Sequence, residues 1–310
     1  MPTEGPFAPG TLAAMAERAR DRALASGALQ PIETESELIE DAGVRFVLRT
    51  ASNLARKDRA LAQQGAEDPL AEPHPDLFVA RVSESHVALL NKFNLLDRHL
   101  LIVTLRFEHQ ERLLSEADFG ALARCMAELD GLGIYNGGAE AGASQLHKHL
   151  QFVPLPLDPA IAPGEPGVPM EALFDAAEPG NGALQVPGLP FGHAFVRVGP
   201  PLWATTERAA RTLHGLYRVM LRAVAIEPLG ADARHSSAYN LLCTRRWMLL
   251  VPRSRERFES ISVNAFGFAG SLFVRTREQA SGVREHGPMA VLRAVGVARR
   301  APPDAPSGES

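Results

Sequence analysis

The segment NGGAEAGASQLHKHLQFVPLP, residues 136–156, joins a loop of small residues to a run of alternating polar and apolar positions. His147, His149 and Gln151 stand at every second position of that run. Because successive side chains of a β-strand point to opposite faces, the pattern predicts a strand with these three side chains on one face. The glycines upstream predict a turn that leads into the strand.

Composition narrows the class of protein. The chain has 310 residues, 45% hydrophobic and 22% charged, which fits a globular protein with one large or two moderate domains. A net charge of −4 argues against broad nucleic-acid or membrane binding, yet 32 basic residues permit a local basic pocket for a phosphorylated ligand. Cys125 and Cys243 lack close cysteine partners, and the chain has no export signal or membrane-length apolar run, so we expect a cytoplasmic protein.

The secondary-structure pattern mixes helices with β-rich runs. We predict helices at 11–27, from the N-cap Ser115 to Gly131 or Gly133, at 205–226 and at 287–300, strands at 43–52, 85–96 and 98–107, and a long loop at 56–76. This order indicates an α+β architecture with mainly antiparallel strands.

Proline and glycine become frequent after Val153 and indicate a connection between two halves. NLLCTRRWMLLVPR (240–253) echoes NLLDRHLLIVTLR (94–106), which suggests that the halves are related. We therefore predict an N-terminal half at 1–155, a connection at 156–190, a C-terminal half at 191–300 and a tail at 301–310. The tail lacks the apolar residues needed to order itself.

The histidine strand allows three interpretations. Two imidazoles on one face can bind a metal, but a third ligand is required and none lies nearby in the sequence. Two structural histidines in a half-buried sheet are the common outcome for an isolated HxH. The third interpretation is a nucleophilic histidine beside a phosphate, and the glycine-rich loop favours it, because its backbone N–H groups, with Ser144 and Gln145, can face an anion.

Three segments together resemble a known family. NGGAEAGASQLHKHLQFVPLP, LLNKFN before it and YNLLCTRRWMLLVPRSRERFESISVNAFGFAGSLFVR after it resemble the diadenosine tetraphosphate phosphorylases, or ATP adenylyltransferases, of the histidine-triad superfamily. This family is related to the galactose-1-phosphate uridylyltransferases. The resemblance covers residues 40–297 and implies a histidine-triad-like, mainly antiparallel sheet with flanking helices and two related halves. It also implies reversible phosphorolysis of diadenosine tetraphosphate to ATP and ADP through an adenylyl-histidine.

The resemblance assigns roles to individual residues. His149 would carry the AMP group, Gln151 would contact its phosphate, and His147 would position the strand or the phosphates. The implied nucleotide-binding residues are Lys57, Asn91, Lys92, Asn136, Gly142, Ala143, Ser144, Gln145, Asn264, Ala265, Phe266, Ser271 and Arg275. Arg275 stands where the family often has lysine. No protein metal site and no tightly bound cofactor are implied, and magnesium is expected only with the nucleotide.

Gln151 favours transfer over hydrolysis on chemical grounds alone. An amide forms hydrogen bonds but cannot shuttle protons, whereas an anionic acceptor such as phosphate needs no general base. The alternatives are a nucleotidylyl transferase with a sugar phosphate or sulfate acceptor, a non-catalytic nucleotide-binding module, and a metal-dependent hydrolase. The expected partners are nucleotides and phosphate, without nucleic acid or membrane, for a monomer or small homo-oligomer.

Overall fold

The computed structural model describes residues 5–51, 68–162, 164–179 and 183–299. Its helices are α1 (Leu12–Ala25), α2 (Glu116–Glu128), α3 (Thr206–Ala223), α4 (Ala265–Phe268), α5 (Arg277–His286) and α6 (Pro288–Val295). The strands of the first half are β1 (Thr34–Asp41), β2 (Val44–Ala51), β3 (Phe78–Arg81), β4 (His86–Leu90), β5 (Leu100–Thr104), β6 (Gly131–Gly137) and β7 (His149–Pro154). The later strands are β8 (Glu178–Pro179), β9 (Leu184–Gln185), β10 (Ala194–Arg197), β11 (Pro228–Leu229), β12 (Arg234–His235), β13 (Tyr239–Cys243), β14 (Trp247–Pro252), β15 (Arg257–Phe258), β16 (Ile261–Ser262) and β17 (Ser271–Val274).

One large antiparallel sheet runs through the molecule. Its described strands follow the order β3-β4-β5-β7-β6-β13-β14-β10-β9-β8. Strands β6 and β13 are far apart in the sequence but are neighbours in this sheet, with Asn136 opposite Asn240. A smaller sheet has the order β1-β2-β17, in which β17 runs parallel to β2. The predicted α+β class with mainly antiparallel strands is confirmed.

Different elements bury the two faces of the large sheet. On one face, Leu150 and Phe152 of β7 pack in a cluster with α1, α2 and α3. On the other face, Val153 packs in a cluster with the small sheet, α4, α5 and α6. Because alternate strand residues share a face, His149 and Gln151 lie on the side of Val153. The face opposite α1, α2 and α3 therefore carries the predicted chemistry.

Helix α2 begins as predicted but ends earlier. The Ser115 side chain accepts from the Asp118 N–H, and the Asp118 side chain accepts from the Ser115 N–H, which forms a capping box. The predicted helix end at Gly131 or Gly133 is wrong, because both glycines belong to β6. A Cβ at Gly131 would lie 2.3 Å from the Phe152 ring, and one at Gly133 would lie 2.6 Å from Leu122. These glycines are required by close packing within the sheet.

The segment between the halves is more ordered than its composition indicates. A 3-10 helix spans Pro169–Ala176, and its Met170 and Phe174 are buried in the cluster with the small sheet. Asp158 accepts from the Arg49 Nη2 at 2.7 Å, and both side chains are buried. The sequence echo aligns matching elements only in its second part. Residues 94–96 lie in a loop whereas residues 240–242 lie in β13, but the longer apolar runs that follow are both strands, β5 and β14.

Some predictions fall outside the described residues. These are Lys57, most of the predicted loop at 56–76, and the tail at 301–310. None of the helices in the described part of the chain is both long and apolar enough to span a membrane.

Candidate active site

The strand predicted to carry His147, His149 and Gln151 begins only at the second of its two histidines. Strand β7 starts at His149, while His147 forms an isolated bridge with His109. Val103 of β5 lies opposite His149, and Ile134 of β6 lies opposite Gln151. These two apolar neighbours belong to separate buried clusters, so the polar side chains form a row between apolar surfaces. Electrostatic interactions are stronger in such surroundings than in water.

His149 has the geometry of an aimed nucleophile. Its Nδ1 lies 2.8 Å from the carbonyl oxygen of His147, and because a carbonyl oxygen only accepts, Nδ1 must carry the hydrogen. The lone pair is then on Nε2, which has no hydrogen-bond partner among the described residues. His149 is only 7% exposed, and burial lowers its pKa below the ordinary value of 6.5. A neutral ring with one open nitrogen suits attack on phosphorus.

His147 uses both ring nitrogens within the protein. Its Nδ1 lies 2.8 Å from Asp68 Oδ2, and its Nε2 lies 2.8 Å from the carbonyl oxygen of Thr104. The Phe107 ring packs edge-on against the imidazole at a centroid distance of 5.4 Å. Of the two roles that the sequence left open, positioning the strand fits these contacts and positioning the phosphates does not.

Gln151 is oriented by a short chain of side chains. Its Oε1 accepts from His99 Nε2 at 2.8 Å, and Asn91 Nδ2 lies 3.5 Å from His99 Nδ1. The Phe266 ring contacts the His99 ring edge-on at 5.7 Å. With Oε1 engaged, the amide NH₂ of Gln151 is the group left to face a ligand. Three of the predicted residues therefore meet around His99.

Lys92 follows Asn91 directly in the sequence. Its Nζ lies 5.3 Å from the centre of the Phe93 ring, and it forms no ion pair within the described part of the chain. Its charge is therefore available to an anion.

The glycine-rich loop differs in detail from the predicted phosphate cradle. The N–H groups of Ala141, Gly142 and Ala143 bond back to carbonyl oxygens of Gly138 and Ala139, so they are not offered to a ligand. The next N–H groups, from Ser144 to Leu146, have no acceptor among the described residues. An anion site in this loop would therefore lie after Ala143. The sequence did not indicate which N–H groups of the loop are bonded within the loop itself.

Gly142 is required where it stands. It has a φ of 85°, a value that side-chain-bearing residues rarely adopt, and a Cβ there would lie 2.8 Å from the Cβ of Asn264. The loop and the start of α4 are thus in close contact.

Asn136 joins the two halves of the chain at this point. Its Oδ1 accepts from Asn240 Nδ2 at 2.8 Å and from the Ala265 N–H at 3.1 Å. Asn240 Oδ1 in turn accepts from Arg253 Nη1 at 2.6 Å. Burial lowers the pKa of Arg253 to about 10. The predicted residues Asn136, Gly142, Asn264 and Ala265 therefore form one connected group.

Ser271 and Arg275 stand apart from these contacts. Ser271 is buried, and its Oγ accepts from Arg49 Nε at 3.4 Å, beside the Arg49–Asp158 pair. Arg275 is exposed just after β17, and its backbone N–H donates to Gln279 Oε1. Neither position is joined by a described hydrogen bond to the row on β7.

Four residues at the site carried no sequence signal strong enough to single them out. Asp68 and His99 contact the predicted His147 and Gln151, respectively. Gln110 is buried and bonds the main chain of His149, while Asn240 bonds Asn136. Their partners are distant in sequence, and for Gln110 they are backbone atoms, which carry no residue-type pattern.

Comparison with known proteins shows the family of this chain. Residues 2–176 match the Ap4A phosphorylase N-terminal domain, and residues 187–298 match the ATP adenylyltransferase C-terminal domain. The chain belongs to the Ap4A phosphorylase family. This confirms the resemblance drawn from the motifs around His149.

Relatives of this Ap4A phosphorylase family member occur in Saccharomyces cerevisiae. Diadenosine 5',5'''-P1,P4-tetraphosphate phosphorylase 2 is 26% identical over 291 residues, which covers 84% of this chain and 86% of the relative. Protein APA1 is 24% identical over 304 residues, covering 89% and 91%. The crystal structure of yeast Ap4A phosphorylase Apa2 in complex with Ap4A has a TM-score of 0.76 at 23% identity, covering 95% of this chain and 100% of that one. This structural likeness shows the fold.

Proposed function

We propose that this protein catalyses the reversible phosphorolysis of diadenosine tetraphosphate, with phosphate as acceptor and ATP and ADP as products, through a covalent adenylyl-His149. The observation that carries the proposal is the hydrogen bond from His149 Nδ1 to the His147 carbonyl, which leaves Nε2 as an open nucleophile. Membership of the Ap4A phosphorylase family supports it. So does the relative named diadenosine 5',5'''-P1,P4-tetraphosphate phosphorylase 2.

The first displacement forms a nitrogen–phosphorus bond. His149 Nε2 attacks the α-phosphorus of one AMP end, the bond to the bridging oxygen breaks, and ATP leaves with that oxygen. The ring then carries a positive charge, and its Nδ1–H still donates to the His147 carbonyl. That hydrogen bond becomes charge-assisted and so stabilises the intermediate.

The second displacement regenerates the histidine. A phosphate oxygen attacks the phosphorus of adenylyl-His149, the nitrogen–phosphorus bond breaks, and ADP forms. Phosphate is already anionic, so no general base is needed. Gln151 offers an amide NH₂ to the transferred phosphate but cannot act as a general base towards water, which favours phosphate over hydrolysis.

Positive charge and backbone donors would bind the polyphosphate. Lys92 is unpaired within the described residues, and Ser144 and Gln145 offer N–H groups after the glycine loop. Lys57 and Arg275 stay in the proposal as phosphate-binding residues. Magnesium would accompany the phosphates of the nucleotide, since this ion is commonly bound through substrate phosphates and a few carboxylates. We also propose a monomer or small homo-oligomer acting in the cytoplasm.

Covalent labelling tests the proposal. Diadenosine tetraphosphate labelled at its α-phosphorus, added without phosphate, should leave one acid-labile label on the wild-type protein. His149→Asn should remove the label, because an amide has no nucleophilic ring nitrogen. The matched control is His286→Asn, which should label like the wild type. His286 is exposed, and its contacts with described residues are a hydrogen bond to the Gly282 carbonyl and an edge-on ring contact with Phe258, away from β7. Added phosphate should release the label as ADP, with ATP in equal amount.

The other functions give different results. A non-catalytic nucleotide-binding module would bind the nucleotide without covalent label. A transferase with another acceptor would label but would release its adenylyl group faster to a sugar phosphate or sulfate than to phosphate. Abundant AMP at saturating phosphate would identify a hydrolase, and a label that persists in His149→Asn would exclude the mechanism.

A further inference from the structure

Strands β6 and β7 stop pairing just before the nucleophile. Their register runs from Gly131 opposite Pro154 to Ile134 opposite Gln151. Continued by two residues, it would place Asn136 opposite His149. At this position the two strands are not paired by direct backbone hydrogen bonds, and the side chain of Gln110 lies between them.

The Gln110 amide replaces the missing ladder bonds. Its Oε1 accepts from the His149 N–H at 2.8 Å. Its Nε2 donates to the carbonyl oxygen of Asn136 at 2.9 Å and to that of His149 at 3.2 Å. One side chain therefore holds the main chain of His149 at its N–H and at its carbonyl, and ties it to β6.

Gln110 is itself fixed. It is 2% exposed, its N–H donates to the Leu146 carbonyl at 2.7 Å, and its carbonyl accepts from the Tyr135 hydroxyl. Both polar ends of its amide are engaged with main-chain atoms, so the side chain has no group left for a substrate. Its influence on a reaction must act through the main chain that it holds, which is that of His149 and of Asn136 opposite it.

We propose that Gln110 is a positioning residue for adenylyl transfer: as a wedge between β6 and β7, it sets the direction in which His149 Nε2 points. The role in transfer rests on the function proposed above. A main-chain shift of His149 by a fraction of an ångström displaces the ring, weakens the Nδ1–H bond to the His147 carbonyl and misaligns Nε2 with the phosphorus.

Gln110→Glu tests the wedge with almost no change in shape. The new carboxylate can still accept from the His149 N–H, but its second oxygen would face two carbonyl oxygens, so the two donor bonds are lost. The matched control is Gln185→Glu, because Gln185 Nε2 also donates to a main-chain carbonyl, that of His193 at 2.8 Å, away from β7. Both variants should be compared with wild type in thermal melting, nucleotide kinetics and proton–nitrogen correlation spectra of the histidines.

We expect Gln110→Glu to slow formation of the adenylyl-enzyme by about 10- to 100-fold while KM changes far less, because alignment and not nucleotide binding is affected. Wild-type spectra should show His149 as one neutral tautomer with the hydrogen on Nδ1. Gln110→Glu should show a mixture of tautomers, and Gln185→Glu should match wild type in both readouts.

Equal labelling rates and an unchanged His149 tautomer in folded Gln110→Glu would overturn the proposal. So would equal loss of rate in the Gln185→Glu control, since that would show a general effect of placing a carboxylate against a main-chain carbonyl. The spectra are independent of catalysis. If the wild type took no label but the tautomer still responded to Gln110→Glu, the proposed function would fail and the positioning of the ring would stand.

Discussion

His149 and His147 are separated by one residue, yet their hydrogen-bond partners give the two rings different tasks. His149 has one carbonyl partner on Nδ1 and an open Nε2, whereas both nitrogens of His147 face acceptors on Asp68 and Thr104. The same residue type is thus the proposed nucleophile in one place and a ring held at both nitrogens in the other. The difference comes from neighbours brought close by the fold.

The buried state of His149 predicts the pH dependence of labelling. Burial lowers its pKa below 6.5, with smaller and opposing effects from His147 and Asp68. The ring is the reactive neutral form above its pKa, so activity is lost as pH falls through the lowered value. Single-turnover labelling without phosphate should therefore be flat from about pH 8 to about pH 6.5 and should fall only below that range.

Omitting phosphate keeps the acceptor's own titration out of this profile. Melting temperatures taken at each pH would separate loss of the fold from protonation of the ring. A midpoint at or above 6.5 would contradict the low pKa assigned to His149.

A buried charge cluster ties Lys148, the residue just before β7, to the start of α2. Lys148 Nζ lies 2.7 Å from Asp118 Oδ2, and His86 Nε2 donates to Asp118 Oδ1 at 3.0 Å. Asp118 also completes the capping box with Ser115. The N-terminus of α2, strand β4 and the residue just before β7 thus meet at one carboxylate.

Replacing this carboxylate should destabilise the protein strongly. Asp118→Asn leaves the buried Lys148 without its closest counter-charge, and we expect the free energy of unfolding at neutral pH to fall by about 3–5 kcal/mol. Urea unfolding would measure it. Asp175→Asn is the control, since Asp175 is fully exposed near Arg197 and its replacement should change little.

The pKa of Asp118 also determines how the stability difference between wild type and Asp118→Asn changes with pH. Burial raises the pKa of Asp118, but the hydrogen bond from His86 and the charge of Lys148 outweigh it and leave the pKa well below 3.8. Its stabilisation is therefore present above 3.8 and lost as pH falls towards the lowered value. The gap between wild type and Asp118→Asn should narrow below about pH 4, and a gap that widened there would contradict the assignment.

For the molecule as a whole, the large sheet crosses both halves of the sequence. Strand β13 of the second half pairs with β6 of the first half, and Asn136 contacts Asn240 and Ala265 from the second half. The cluster under α1, α2 and α3 likewise draws residues from both halves. The two segments that match separate family domains are therefore parts of one folded body.

Cutting the chain tests this dependence. Residues 1–179 and 183–310 expressed alone should lack labelling activity, because β6 and β13 would each lose a hydrogen-bonded neighbour and expose apolar surface. Co-expression of the two pieces should restore labelling of His149. A soluble 1–179 fragment that labels by itself would show that the first half is an independent enzyme.

Sequence patterns predicted the parts of the fold that depend on local order. The alternation from His147 to Phe152 indicated the two faces of β7, and Ser115 marked the start of α2. Strand β6 was missed because its glycines resemble a helix end, and only the Phe152 and Leu122 side chains explain them. Contacts such as Gln110 with the His149 main chain depend on tertiary approach, which periodicity cannot reveal.

The single open nitrogen of His149 has a stereochemical consequence. Because Nδ1 is bound to the His147 carbonyl, the proposed mechanism has the α-phosphorus attacked and later released at the same Nε2. Each in-line displacement inverts the arrangement of groups around phosphorus. Two inversions cancel, so an α-phosphorus made chiral by isotopic or sulfur substitution would pass into ADP with the handedness it had in diadenosine tetraphosphate.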